Sequence, residues 1–462
     1  MKTNFINILL IGILLAGCSN FDDEINSNPN APNKASGMQL IAQAELSLPG
    51  LSSSPQGEFF AQYLAESQYV GVSLYPVQNT SFYGWYQGPL ADLEAVLTSE
   101  DLSATDGPVL NQLAVAKILK AYYFWNITDR WGDVPYTDAL KGQENFTPKY
   151  DTQEFIYNDL FEELKEASQM IVSGDLNNDI IYNGDMEKWK KLSNSIRLLM
   201  ALRLSEVDPG KAREEFIAAM NAGVFSSNDD SLFFQHLAEA NNQNYWYTQI
   251  VDRNREWWAI TEGMVEEMKP FNDPRLVVYA NQARSNGEYI GLPYGEEENI
   301  GTEEFSLLGD DIYAQDAPVY LLTYAQILFA MAEASEKGWI NASTQQYYES
   351  AIENSILQWT GSAESVSEYL NQTDISFDEN LAMEQIALQR WIHLYMFGYE
   401  AWSEYRRTGL PDIFVSPNGV EIPNRLGYPD NEAFNNEDSY NEAIQRQFGG
   451  ENDIYGNVWW DK

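Results

Sequence analysis

The chain has 462 residues, with 69 Asp plus Glu against 27 Lys plus Arg, a formal net charge of −42 and a single cysteine. Such an acidic excess excludes a phosphate-neutralising nucleic-acid face unless basic residues cluster somewhere, and the sequence holds no such cluster. One cysteine excludes an internal disulfide, while 44% hydrophobic and 21% charged residues mark a globular chain with an acidic surface and a 13% aromatic share that core filling alone does not explain.

In chain order, Lys2 precedes an apolar run from Phe5 to Ala16, broken only by Asn7 and Gly12 and closed by Leu15-Ala16-Gly17-Cys18. The run is too short to span a bilayer and reads as a signal-peptide core, residues 1–17. Cys18 stands where a bacterial lipobox places the residue that receives a diacylglyceryl group and becomes the new N-terminus, so the chain is expected to be a lipoprotein anchored at Cys18. Residues 18–36, with Pro29, Pro32 and five asparagines, make a poor helix or strand and predict an extended tether.

From Gly37 the dominant period is helical. Val115, Ile118, Leu119, Tyr122 and Ile127 form one apolar stripe, and Ile156, Leu160, Leu164, Ala167 and Ile171 another. Asp151 with Glu154 has the layout of a capping box for the second stripe, Asp185 is placed to cap a helix through Trp189 and Ile196, and Asp208-Pro209 opens a third. Asp316 and Pro318 predict a helix through Leu321, Leu328 and Ala332 that ends at Gly338. Further helices are expected over 256–269, 342–360 and 380–407. Adjacent helices with short connections point to a mainly α fold of antiparallel, tetratricopeptide-like pairs, although no strict 34-residue period is present. The segments 69–89, 223–255, 271–316 and 408–462 read as long loops inserted into that scaffold, within a single domain spanning 37–462.

Catalytic signatures are scarce. Only His236 and His393 are present, which removes a histidine-rich zinc site, and H-E-x-x-H, G-x-S-x-G, G-x-x-x-x-G-K and a Rossmann glycine motif are all missing. Asp175, Asn177 and Asp179 alternate like calcium-loop ligands, but Ile180 occupies the glycine position and Met186 the position of the bidentate glutamate, so a polar turn is the better reading. No metal, cofactor or catalytic residue is assigned. A carboxylate-based glycoside hydrolase stays open as an alternative, because sequence cannot select one carboxylate pair among so many.

The loop aromatics carry more information. Segment 69–89 contains Tyr75, Asn79, Phe82, Tyr83 and Trp85, and segment 241–258 contains Tyr245, Trp246 and Tyr247, then Trp257 and Trp258. Flat rings mixed with amides and hydroxyls suit a sugar, whose C–H face stacks on a ring while its hydroxyls bond the polar groups. These first eight residues are, as a set, the candidate ligand-binding face, although for each ring taken singly loop packing on helices is the better explanation.

Several segments together resemble the SusD/RagB family of nutrient-binding lipoproteins of Bacteroidota, in its SusD-like branch. The resemblance rests on Leu15-Ala-Gly-Cys18, Asn26-Ser-Asn-Pro-Asn30, Lys117-Ile-Leu-Lys-Ala-Tyr122, Thr128-Asp-Arg-Trp-Gly-Asp-Val-Pro-Tyr136, Pro148-Lys-Tyr-Asp-Thr-Gln-Glu154, Ile181-Tyr-Asn-Gly-Asp185, Trp189-Lys-Lys-Leu-Ser-Asn-Ser-Ile-Arg197, Asp273-Pro-Arg275, Glu400-Ala-Trp402, Arg406-Arg-Thr-Gly-Leu-Pro411 and Val458-Trp-Trp460. It implies a SusD-like α-helical fold, no catalysis, capture of a glycan or, in some relatives, a peptide, and delivery to a SusC-like TonB-dependent transporter. The acidic stretch Asp22-Asp23-Glu24 after Cys18 is similar to the signal that sends such lipoproteins to the exterior face of the outer membrane. Motifs such as Trp131-Gly132-Asp133 and Arg406-Arg407 are expected to serve the fold and not the ligand.

Overall fold

The structure is a computed structural model that describes residues 35–461 apart from 77, 78 and 297; the 1–17 leader, Cys18 and the tether as far as residue 34 lie outside the described residues. From Gly37 the chain runs through helices α1 (Gly37–Ser47), α2 (Pro55–Phe60), α3 (Ala91–Leu97), α4 (Val109–Trp131), α5 (Gln153–Met170), α6 (Met186–Arg203), α7 (Pro209–Ala222), α8 (Glu262–Met268), α9 (Tyr324–Glu336), α10 (Thr344–Thr360), α11 (Ala382–His393), α12 (Gly398–Thr408) and α13 (Glu437–Phe448). The mainly α class is as expected, and α4 packs on α5, α6 on α7 and α9 on α10 as consecutive pairs.

Local chemistry fixes most of the helix starts. Asp185 accepts from the N–H groups of Glu187 (3.0 Å) and Lys188 (3.3 Å), and Asp208 accepts from Lys211 N (3.1 Å) with Pro209 in the first turn. The cap of α5 differs from expectation. Thr152, not Asp151, accepts from Phe155 N (3.2 Å), because Asp151 is drawn into a strand and takes the N–H (2.7 Å) and hydroxyl (2.8 Å) of Thr137. In the would-be calcium loop, Asp179 is consumed by the turn: it accepts from Ile181 N, Tyr182 N, Gly184 N and the indole of Trp189.

Among the described residues, three two-stranded antiparallel sheets punctuate the helices: β1 (Leu64–Glu66), β2 (Val134–Pro135), β3 (Tyr150–Asp151), β4 (Leu232–Phe234), β5 (Trp258–Ile260) and β6 (Val319–Leu322) pair as β1 with β5, β2 with β3 and β4 with β6. Two expected helices are shortened by them. The helix foreseen from Pro318 begins instead at Tyr324, capped by Thr323, because Val319-Tyr-Leu-Leu322 pairs with Leu232–Phe234; that run is apolar, with a β-branched and an aromatic residue, and fits a pleated, half-buried surface. Likewise 256–269 divides into β5 and α8, joined at Thr261, whose hydroxyl donates to Gln62 O (2.7 Å) and whose side chain caps α8.

The long helix foreseen over 380–407 breaks between His393 and Gly398. Met396 adopts a left-handed φ of 65°, and a Cβ on Gly398 would collide with the carbonyl of Gly57, so the chain turns and α12 docks against α2. The segments read as loops hold β4, α13 and several single turns. Two large apolar cores result: one centred on α1 and α3–α6, the other joining Tyr63, Trp258, Met264, Tyr279, Trp391 and Tyr395.

Between the helices lies a buried ionic node. Glu333 of α9 accepts from Arg407 (2.7 Å) and Arg390 (2.6 Å), while Arg203 of α6 meets Glu400 (2.8 Å), Glu404 (3.1 Å) and Asp129 (3.4 Å). Arg406 stacks 3.7 Å over the Trp402 ring and 4.5 Å over Trp460, whose indole donates to Asp129 (2.9 Å). Charges removed from water persist only where paired this closely. The Arg406-Arg407 and Val458-Trp-Trp460 motifs therefore serve the fold, as does Gly132 (φ 83°), which leaves room for the Gln447 amide.

Candidate functional site

The site is organised by β1 and β5. Residues directly opposed in an antiparallel pair project to the same face, and the register sets Leu64 opposite Ile260 and Glu66 opposite Trp258. Leu64 and Ile260 are fully buried, whereas Glu66 and Trp258, at the end of the same row, line a pocket of about 280 Å³ together with Phe59, Phe60, Val72 and Tyr75. Burial pushes the Glu66 carboxyl up to about 7, against the opposing pull of the nearby Arg255 guanidinium.

Beyond Trp258 the rings continue. Tyr69 meets Trp257 at 5.3 Å between centroids, Trp257 meets Trp258 at 5.4 Å, Trp258 meets Trp246 edge-on at 5.3 Å, and Trp246 meets Tyr245 at 5.3 Å. All but the tilted Trp257–Trp258 pair meet edge to face, a contact that holds aromatic surfaces in fixed orientations. Trp246 is positioned by a one-turn helix, Tyr245–Tyr247, whose N-cap Asn244 accepts from Trp246 N (2.7 Å) and donates to Ala317 O (3.2 Å). On its far side Trp246 lines a second pocket of about 160 Å³, shared with Val278, Ile312, Tyr320, Gln358 and Trp359. The Trp246–Trp258 contact thus stands between two pockets.

Of the eight candidate residues, Tyr75 lines the first pocket, Trp246 lines the second, and Tyr245 adjoins Trp246; Tyr247 is half-buried in the same turn. Tyr75 is held by Gln62, whose amide reaches its hydroxyl (3.2 Å) while also bonding Val415 N (2.9 Å) and O (2.7 Å). The remaining four line neither pocket. Phe82 meets Trp131 edge-on (5.7 Å), Tyr83 donates to Glu432, and Trp85 lies against Gly50 and Tyr123. Asn79 donates to Asp430 (2.5 Å) and accepts from Asn452 (3.2 Å). The 69–89 segment therefore divides: Val72, Tyr75 and Pro76 line the first pocket, whereas Asn79 and Tyr83 bond to the C-terminal region and Phe82 and Trp85 pack on α4.

Sequence reasoning did not select Glu66, Trp257, Trp258, Gln358 or Trp359. Trp257 and Trp258 lie within the same aromatic-rich run and could have been chosen with Trp246. Gln358 and Trp359 read as ordinary helix residues near the end of α10, and only tertiary folding brings them to the pocket. His393, with its ring between the hydroxyls of Thr323 (2.6 Å) and Ser355 (2.9 Å), is pushed down to about 3 by burial and by Arg275, and is a packed core residue. Among the described residues no group of three or more His, Cys, Asp or Glu is poised to hold a metal, and no helix is long and apolar enough to cross a membrane.

Rings with a few fixed polar groups beside them can bind an amphipathic ligand by stacking and directed hydrogen bonds. Residues 29–429 match the sequence profile of a SusD-like family described as starch-binding and associating with the outer membrane. Among solved structures, the chain is similar to a chitin-binding protein (29% identity, TM-score 0.82, covering 92% of this chain and 99% of that one). It is also similar to a SusD homologue from Bacteroides fragilis (26%, TM-score 0.80, 92% and 100%) and shares its fold with a chitin-binding SusD homologue from Flavobacterium johnsoniae (22%, TM-score 0.78, 92% and 98%). No curated protein matches the chain.

Proposed function

The chain belongs to the SusD-like family, and from that premise we propose that it captures a glycan on the bacterial surface and passes it, unaltered, to a SusC-like TonB-dependent transporter in the outer membrane. In this reading Cys18 carries the lipid that holds the protein to the membrane, and residues 18–36 form the tether. The observation that carries the ligand class is the run of rings Tyr69–Trp257–Trp258–Trp246–Tyr245 beside two pockets. Stacking on rings needs no charge on the ligand, which suits a neutral sugar approaching a strongly acidic protein. Chitin binding by two structural relatives supports the same class.

Isothermal titration against a panel of polysaccharides and peptides tests it. Binding of at least one glycan without release of smaller sugars is expected. Binding to peptides alone would replace the glycan by a peptide, and turnover of a glycan would replace capture by hydrolysis.

A further inference from the structure

Gln358 lines the Trp246–Trp359 pocket, and both its amide nitrogen and its amide oxygen are buried with no hydrogen-bond partner among the described residues. An amide in that condition is costly to keep unless something entering the pocket satisfies it. The occupant must offer an acceptor and a donor side by side. It must also present apolar surface, because the rest of the wall is mainly aliphatic and aromatic, with Val278, Ile312, Val319 and the rings of Trp246, Tyr320 and Trp359, and only Ser53, Asn244 and Asp311 add further polar side chains.

We propose that this pocket receives a 2-acetamido sugar and that Gln358 is its specificity-determining residue; the proposal rests on the glycan reading above. On such a sugar the acetyl carbonyl and the neighbouring 3-hydroxyl stand next to each other, an acceptor beside a donor. The Gln358 nitrogen donates to the carbonyl, the 3-hydroxyl donates to the Gln358 oxygen, and the acetyl methyl lies against the apolar wall. A plain hexose offers an adjacent pair of hydroxyls to the same amide, but it leaves the apolar wall unfilled and forgoes the burial of a methyl group.

N-acetylchitohexaose and cellohexaose share a β-1,4 backbone and differ at the 2-position, so titrating both isolates the acetamido group. The wild-type protein is expected to bind the acetylated chain about tenfold more tightly. Gln358→Leu should lose about tenfold in affinity for N-acetylchitohexaose without a lower melting temperature, since it removes buried polar atoms that have no partner. Gln358→Glu, which keeps the size and removes the donor, should weaken that binding as well. Equal affinity for the two chains, tighter binding of cellohexaose, or undiminished binding by a folded Gln358→Leu protein would overturn the proposal. If neither hexasaccharide binds but another glycan of the panel does, the acetamido assignment fails and glycan capture stands. Binding of no glycan at all overturns both.

Discussion

Arg275 and Asp273, separated by a single proline residue, face each other as a fully buried ion pair, with Nε donating to Oδ1 at 2.9 Å and Nη2 to Oδ2 at 2.5 Å. The guanidinium also reaches Ser355 Oγ (3.0 Å) and Gln389 Oε1 (2.8 Å), so one short turn ties together α10 and α11. Asp273→Ala would leave a buried cation with no counter-charge. The expected loss is about 3–5 kcal/mol of stability, read by urea denaturation; an unchanged midpoint would show that the surrounding oxygens alone sustain the charge.

Tyr69 and Trp85 come from the same aromatic segment and should behave in opposite ways. Tyr69 is 56% exposed at the outer end of the ring series, so Tyr69→Ala should weaken glycan binding about threefold to tenfold, the equivalent of one stacked ring, with an unaltered melting temperature. Trp85 packs against Gly50 and Tyr123. Its replacement by Ala should cost about 3 kcal/mol of stability and leave affinity intact. Calorimetric titration and thermal melting of both variants distinguish the two roles.

Glu58 predicts how stability varies with pH. It is fully buried on α2, accepts from Gly398 N (3.0 Å), and is pushed by burial from an ordinary 4.5 up to about 8. Because the folded protein holds this proton more tightly than the unfolded chain does, the associated stability is complete below pH 4.5 and is lost as pH rises towards 8. Glu66 and Asp461, each raised to about 7 mainly by burial, act in the same direction; Glu333, lowered to about 2 by Arg407 and Arg390 despite its burial, acts only at more acidic pH. Glu58→Gln should therefore flatten the fall in melting temperature between pH 5 and 8. A wild-type protein that gains stability over that interval would contradict the assignment.

Much of the fold could be read from sequence because its signals are local. Asp185 and Asp208 cap the helices they precede, and the stripe from Val115 to Ile127 lies within one 23-residue helix. The misplaced boundaries have non-local causes: Pro318 adjoins a strand only because Leu232–Phe234 is there to pair with it, and Asp151 gives up its cap to bond Thr137. The candidate site was half legible for the same reason. Loop aromatics announced Tyr75 and Trp246, but nothing near Gln358 or Glu66 in sequence reveals that one shares a pocket with Trp246 and the other stands opposite Trp258.

The proposed anchor at Cys18 has its own test. Cys18→Ser removes the sulfur that would be acylated, so the protein should move from the membrane fraction to the soluble fraction and fail to incorporate labelled palmitate. Retention in the membrane fraction by the serine variant would assign attachment to another feature.

The break between α11 and α12 supplies a last prediction. Gly398 approaches Gly57 so closely that a methyl group would overlap its carbonyl, and Gly57 in turn has no room for a side chain beside Tyr399. The two glycines let α12 press against α2, which brings Gly398 N to Glu58 and leaves Phe59 and Phe60, at the end of α2, as a wall of the larger pocket. Gly398→Ala cannot be absorbed by a side-chain rotation, because the obstacle is backbone. It should cost about 1–3 kcal/mol, the usual range for overpacking a tight contact, and loosen the larger pocket with it. Gly409→Ala provides the comparison: its φ of 69° carries strain, but the space around it is open. Any defect in that variant should appear in stability alone, whereas Gly398→Ala should show a lower melting temperature together with weaker glycan binding. Equal binding by the two variants would separate the helix contact from the pocket.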